Sequence, residues 1–228
     1  LGLVIDSGSE FLIFKDQLLK NTNFLKIDGR IDLSGESQLI QTESSDLAIS
    51  SLGYVERDQK GYSSIYRYNY WSSPVGPVNS LANNLAYSLS EILKDGTNSN
   101  SPLDINFNSA GYDGAATSPI SIADYWVFTF SNTTDDYNNW SQVRSTGEIK
   151  VGEGYIMKGT GTSQENQNYV FSGKPNNGNI KHLIGGNNKY LVGNPYLSAI
   201  DANAFILDNI GANSSINGTL YFWEHWGG

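Results

Sequence analysis

Apolar residues come in short clusters through the first fifty positions: Leu3-Val4-Ile5, Phe11-Leu12-Ile13, Phe24-Leu25, Ile31 with Leu33, Leu39-Ile40, and Leu47 with Ile49. Turn formers separate them, among them Asp6-Ser7-Gly8-Ser9, Asp28-Gly29 and Ser34-Gly35-Glu36-Ser37. The spacing is roughly seven to ten residues. Strands this short bury no face alone, so rungs stacked on one another are the natural solution. Residues 1–52 are therefore read as a repetitive β segment, either the end of a β-solenoid or a β-meander.

Beyond that point the pattern lengthens and becomes richer in aromatics. Residues 62–71 alternate, with Tyr66, Tyr68 and Tyr70 on one face and Ile65, Arg67 and Asn69 on the other. Residues 120–130 predict the clearest strand, with Ile120, Ile122, Trp126, Phe128 and Phe130 sharing the core face. Further strands are expected over 154–158, 169–172, 189–192 and 219–224. Leu81, Leu85, Leu89, Ile92 and Leu93 recur at helical spacing with Ser80 as a cap, yet 87–90 also alternates, and both readings stand. Pro175-Asn176-Asn177-Gly178 reads as a hairpin-type turn, and Asp201 as the cap of a short helical turn over 204–207. The expected fold class is all-β, with residues 53–228 forming an antiparallel β-sandwich of the jelly-roll kind that continues past Gly228.

Composition sharpens this picture. Charged residues make up only 16% of the 228 positions, and the polarity comes from Asn, Ser, Thr and Gly, so the chain is folded rather than disordered. Net charge is −9, and no two Lys or Arg are adjacent. Without clustered cations, nucleic acid and anionic membrane surfaces are not expected partners. No apolar run reaches the roughly 18–20 residues that span a bilayer. Cysteine is absent, which removes disulfides, thiolate zinc sites and a thiol nucleophile. Leu1-Gly2-Leu3-Val4-Ile5 lacks the basic start of a signal peptide, and Trp226-Gly227-Gly228 reads as an interruption, so the chain is taken as part of a larger protein.

Several phrases go further. These are Tyr70-Trp71-Ser72-Ser73-Pro74-Val75, Gly152-Glu153-Gly154-Tyr155, Phe171-Ser172-Gly173-Lys174-Pro175-Asn176-Asn177-Gly178, Leu191-Val192-Gly193-Asn194-Pro195-Tyr196 and Leu220-Tyr221-Phe222-Trp223-Glu224-His225. Together, over about residues 54–228, they resemble a module of large cell-surface and secreted proteins of Bacteroidota exported by the type IX secretion system. The sorting domain of such proteins is not among these residues. The resemblance implies an extracellular or cell-surface location and a role beside adhesins, gliding-motility proteins or enzymes.

Catalytic patterns are missing from the sequence. His182 and His225 have no metal-ligand spacing, no Gly-x-Ser-x-Gly elbow occurs, and Gly173-Lys174 lacks the rest of a phosphate loop. Carboxylates are abundant, and Glu148 with Glu153 flanks a strand, but a glycosidase pair is defined by distance rather than by sequence. The chain is therefore expected to be non-enzymatic, a structural and adhesion module. The alternative is a carbohydrate-binding module, and glycoside hydrolysis ranks below both. Trp140, Tyr137, Trp223 and Trp226 are the candidate ligand-binding residues, because exposed rings stack on sugar faces. Trp126, with its core pattern, is set aside. No organic cofactor is expected. Calcium is the one metal considered, at Asp135 and Asp136 or in the oxygen-rich loop 95–100. Extracellular glycans or other surface proteins are the expected partners.

Overall fold

A computed structural model describes residues 2–211 and 216–222 and is all-β, with sandwich-like sheets. The first coil carries β1 (Leu3–Ile5), β2 (Glu10–Ile13) and β3 (Leu18–Asn21), and the second carries β4 (Leu25–Ile27), β5 (Arg30–Leu33) and β6 (Gln38–Gln41). Each strand pairs in parallel with its counterpart one coil later: Leu3 with Leu25, Glu10 with Arg30, Leu18 with Gln38. Inward side chains then stack in register, as in the row Phe11–Ile31–Val55, whose last two members are fully buried. The buried amide of Asn21 holds one corner, donating to Ser45 Oγ (2.7 Å) and to the carbonyls of Asn23 (2.9 Å) and Phe24 (3.2 Å). Of the two sequence readings, the stacked coil is the one that forms.

The long strand β7 (Tyr54–Tyr62) belongs to both halves of the molecule. On one side Tyr54–Arg57 run parallel to Arg30–Leu33, and on the other Val55–Tyr62 run antiparallel to β17 (Asn166–Pro175). One sheet therefore continues from the coil into the sandwich. It extends past β17 to β10 (Leu93–Asp95) and β11 (Leu103–Asp104), while β9 (Val75–Gly76) pairs with the far end of β17. The facing sheet is antiparallel, in the order β15 (Ser141–Gln142), β14 (Phe128–Thr129), β16 (Tyr155–Lys158), β8 (Tyr68–Trp71). Trp71 packs edge-on against Tyr169 and Phe171 of β17, at ring-centroid distances of 5.1 and 5.8 Å, and closes the core between the sheets. A short parallel pair, β12 (Asn106–Asn108) with β13 (Ser121–Ala123), flanks them. Among the described residues the α-helices are α1 (Leu89–Ile92) and α2 (Ala202–Asn209), the latter capped by Asp201, which accepts from the Asn203 and Ala204 amides as its sequence suggests.

At the junction β17 sends Lys174 inward. Its side chain is 1% exposed, and its ammonium donates to the carbonyls of Ser51 (2.8 Å) and Gly53, the segment that leads from coil to β7. Burial lowers the affinity of this amine for its proton, and Asp28 opposes that. Asn177 donates to the carbonyls of Thr42 (3.4 Å) and Ser45 (3.2 Å), and Asn176 to that of Pro195 (3.1 Å). At Gly173 a Cβ would collide with the Gly76 carbonyl, so only glycine lets β9 approach.

Several sequence expectations are overturned here. Residues 175–178 make no hairpin turn: Asn176 and Asn177 are buried cross-links between distant segments. The strand expected over 62–71 breaks at 63–67, because the Asn69 carboxamide takes both the Tyr62 N–H (2.7 Å) and its carbonyl (3.0 Å). In the 120–130 stretch a 3-10 turn, Asp124–Trp126, interrupts the alternation and shifts its phase, so Val127 occupies the core position expected for Trp126. The helical spacing of 81–93 is realised only in α1, which starts after Ser88 rather than Ser80. Glu91 reaches back to the Ser88 amide (2.8 Å), while Leu81 and Leu85 stay exposed. Residues 189–192 make single bridges at Lys189 and Val192 rather than a strand, and 219–222 form none. Residues 223–224 lie outside the described residues.

Lys174→Met keeps the length of the apolar stem, removes the ammonium and takes the Lys174 donor from two buried carbonyls. It is expected to destabilise the fold by about 2–4 kcal/mol in urea unfolding, whereas a loss within ~0.5 kcal/mol would show the junction to be held by other contacts.

Candidate functional site

The solvent side of the four-stranded sheet is where chemistry-bearing side chains collect. Strand alternation sends Tyr155 and Met157 into the core and Ile156 and Lys158 to the outer side, where Ile156 is covered and Lys158 is half-buried. Tyr68 stands opposite Lys158, and Tyr70, Ile156, Phe128 and Gln142 form the next row across the sheet. Against this face the 3-10 turn raises Tyr125 and Trp126. The buried carboxylate of Asp124 fixes the turn by accepting from Ser109 Oγ (2.9 Å), Ser145 Oγ (2.9 Å) and Arg144 Nη1 (3.1 Å). The Trp126 indole N–H donates to the Tyr112 carbonyl (2.6 Å), which brings the loop carrying Tyr112 onto the cluster. Gln142 donates to the Tyr125 carbonyl (2.8 Å) from the neighbouring strand.

The rings are mutually steep. Tyr125 lies 4.9 Å from Tyr112 at 81° and 4.9 Å from Trp126 at 82°. Tyr68 meets Trp126 at 6.3 Å and 75°. Such edge-to-face contacts are favourable for aromatic pairs, and they produce a stepped surface rather than a flat row. Lys158 Nζ sits 3.6 Å from the Trp126 ring centroid and 5.3 Å from that of Tyr68. Burial lowers the Lys158 pKa, with Asp113 pulling the other way. Burial pushes the Tyr68 hydroxyl up to about 12, helped by the nearby hydroxyls of Tyr137, Tyr70 and Tyr125.

The residues singled out from sequence distribute unevenly around this surface. Tyr137 is 87% exposed, in the loop that follows β14. Trp140 instead folds back on the buried ring of Phe130, with centroids 5.1 Å apart. Trp223 and Trp226 lie outside the described residues. Asp135 is ion-paired with Lys189, and Asp136 caps the turn Tyr137–Asn139 by accepting from the Asn138 amide (2.8 Å). Asp95 accepts from the amides of Thr97 (2.8 Å) and Ile120 (2.9 Å). Among the described residues no group of three or more His, Cys, Asp or Glu side chains is arranged to hold a metal ion. Trp126, set aside as core, is the centre of the cluster. Adjacent Tyr125 and Trp126 carried a usable signal, since on a strand two neighbouring rings point to opposite faces.

Two further polar clusters were not visible in the sequence. Tyr190 donates to Glu153 and lies 3.2 Å from His182 Nδ1, while His182 Nε2 meets the Val151 carbonyl at 2.7 Å; this group ties residues 182–190 to the start of β16. On the outer side of the coil sheet, Arg30 pairs with Glu10, Asp32 and Glu56. Glu56 is 4% exposed, and burial together with the carboxylates of Asp32, Asp58 and Glu10 outweighs Arg30, raising its pKa to about 7. Burial also raises the pKa of Asp32.

A parallel β-coil running into a β-sandwich, with an aromatic cluster on the outer side of one sheet, defines an all-β module. The chain belongs to the family described as Domain of unknown function (DUF8693), whose model matches residues 1–227. No curated protein and no solved structure matches it.

Because Glu56 holds its proton more tightly in the folded chain than in the unfolded one, stability is expected to rise as pH falls from about 8 towards 5. The melting temperature should follow that trend, and Glu56→Gln should flatten it. A melting temperature that instead climbs with pH across this window would mean that Arg30 dominates.

Proposed function

We propose that the chain is a non-catalytic structural and adhesion module of a secreted bacterial surface protein, in which a β-coil carries a sandwich head that presents its outer sheet. The observation that carries this reading is the sharing of β7: the coil ends by becoming a central strand of the head, so force applied to one passes directly into the other. Strands loaded along a continuous sheet resist extension through many backbone hydrogen bonds at once. The coil edge formed by β1, β2 and β3 is bonded on one side only among the described residues, and it is where a further parallel rung would add. The resemblance to exported Bacteroidota modules supports an extracellular setting, and the acidic, cysteine-free composition agrees with it.

A hydrolase reading has weaker support. Glu153 is buried and accepts from Tyr190 and the Lys150 amide (3.0 Å), and Glu56 is committed to Arg30 (2.8 Å). Both act as structural carboxyls.

Pulling the chain between its ends in a single-molecule force experiment tests the display reading. One rupture event releasing coil and head together is expected. Separate release of the first fifty residues at lower force would contradict it.

A further inference from the structure

We infer that the outer face of the four-stranded sheet is a binding site for an acidic glycan, with Tyr112, Tyr125 and Trp126 supplying ring surfaces and Lys158 the counter-charge. This deepens the display reading by giving the head a partner, and it rests on that reading only for the setting in which the ligand is met.

Three observations carry it. Tyr112 is 61% exposed, so most of a large ring is left in water although its backbone is fixed by the Trp126 indole. Tyr125 and Trp126 beside it are half-buried, so the three rings form a continuous, partly open aromatic surface, and continuous apolar surface is what marks an interaction site. The cluster is also pre-organised: Asp124, Gln142 and the Trp126 N–H hold the turn, strand and loop in place, so ordering costs little on binding. Finally, Lys158 is a cation resting on ring faces. Among the described residues no carboxylate contacts it, and Asp113 acts only from a distance. Arg144, by contrast, is taken up by Asp124.

These features select the ligand class. Pyranose C–H faces pack on aromatic rings, and the tyrosine hydroxyls beside them offer donors and acceptors to sugar hydroxyls. An ammonium held next to the rings favours a carboxylate or sulfate on the sugar, through a charge-assisted hydrogen bond in a partly dried setting. The rings are inclined by 81° and 82°, so the surface cannot lie flat on a crystalline polymer and suits a single, twisted chain or its end. The chain's net charge of −9 disfavours indiscriminate binding of polyanions, which makes selective retention informative.

Affinity electrophoresis of the full chain in gels containing polygalacturonate, its methyl ester, dextran sulfate or dextran tests the site. Retardation is expected in at least one charged polymer and not in its neutral parent, and the pair that responds tells carboxylate from sulfate. Tyr112→Ala and Lys158→Met should each weaken retention on the order of tenfold with the melting temperature unchanged, while Lys189→Met leaves it intact. If Lys158→Met impairs folding, Tyr112→Ala decides alone. Mobility unaffected by all four polymers overturns the inference, as does equal retention by a neutral parent or retention that survives Tyr112→Ala. A failed gel with a single force event would remove the glycan site and leave the display reading standing.

Discussion

Lys174 enters the interior from β17 with a charge that must be solvated by protein, and the carbonyls that solvate it belong to Ser51 and Gly53, just before the chain becomes β7. Burying an ammonium is costly unless its donors find acceptors, so this contact fixes where the coil ends relative to the sandwich. The register follows from it. With Gly173 against the Gly76 carbonyl and Lys174 under the coil, β17 has one alignment along β7, and Tyr169 and Phe171 face Trp71. Asn177, bonded to Thr42 and Ser45, fastens the same corner a second time.

The periodic parts of the chain were legible. Short apolar clusters at regular spacing announced stacked short strands, with coil and meander both open; the 154–158 pattern matches β16 to within one residue, and 169–172 falls within β17. What escaped was set by single side chains that outweigh the pattern. Asn69 ends a strand by satisfying Tyr62, and Asp124 turns a continuous alternation into a 3-10 step. Asn176 and Asn177 look like turn residues, and turn chemistry is local, whereas their partners lie across the fold. Nothing in a linear sequence distinguishes an Asn that turns the chain from one that is buried as a cross-link.

The same reasoning accounts for the candidate surface. The polar loop 135–140 drew attention to its rings, and they part ways: Tyr137 stays exposed, whereas Trp140 finds the edge of the core at Phe130. Trp126 was misplaced by the phase shift at Asp124, and Tyr112 and Lys158 had no local feature to recommend them. Their conjunction depends on the pairing of β8 with β16 and on a loop drawn in by one indole hydrogen bond. The cluster is thus a product of topology, built on the sheet that β17 and Trp71 hold in place.

Native-state hydrogen exchange, followed by mass spectrometry across a denaturant series, tests the continuous sheet most directly. Amides of β5 and of β17 should open with the same free energy and the same denaturant dependence, because β7 joins them in one unit. Exchange of β5 through a separate opening of lower free energy, with β17 still protected, would contradict it.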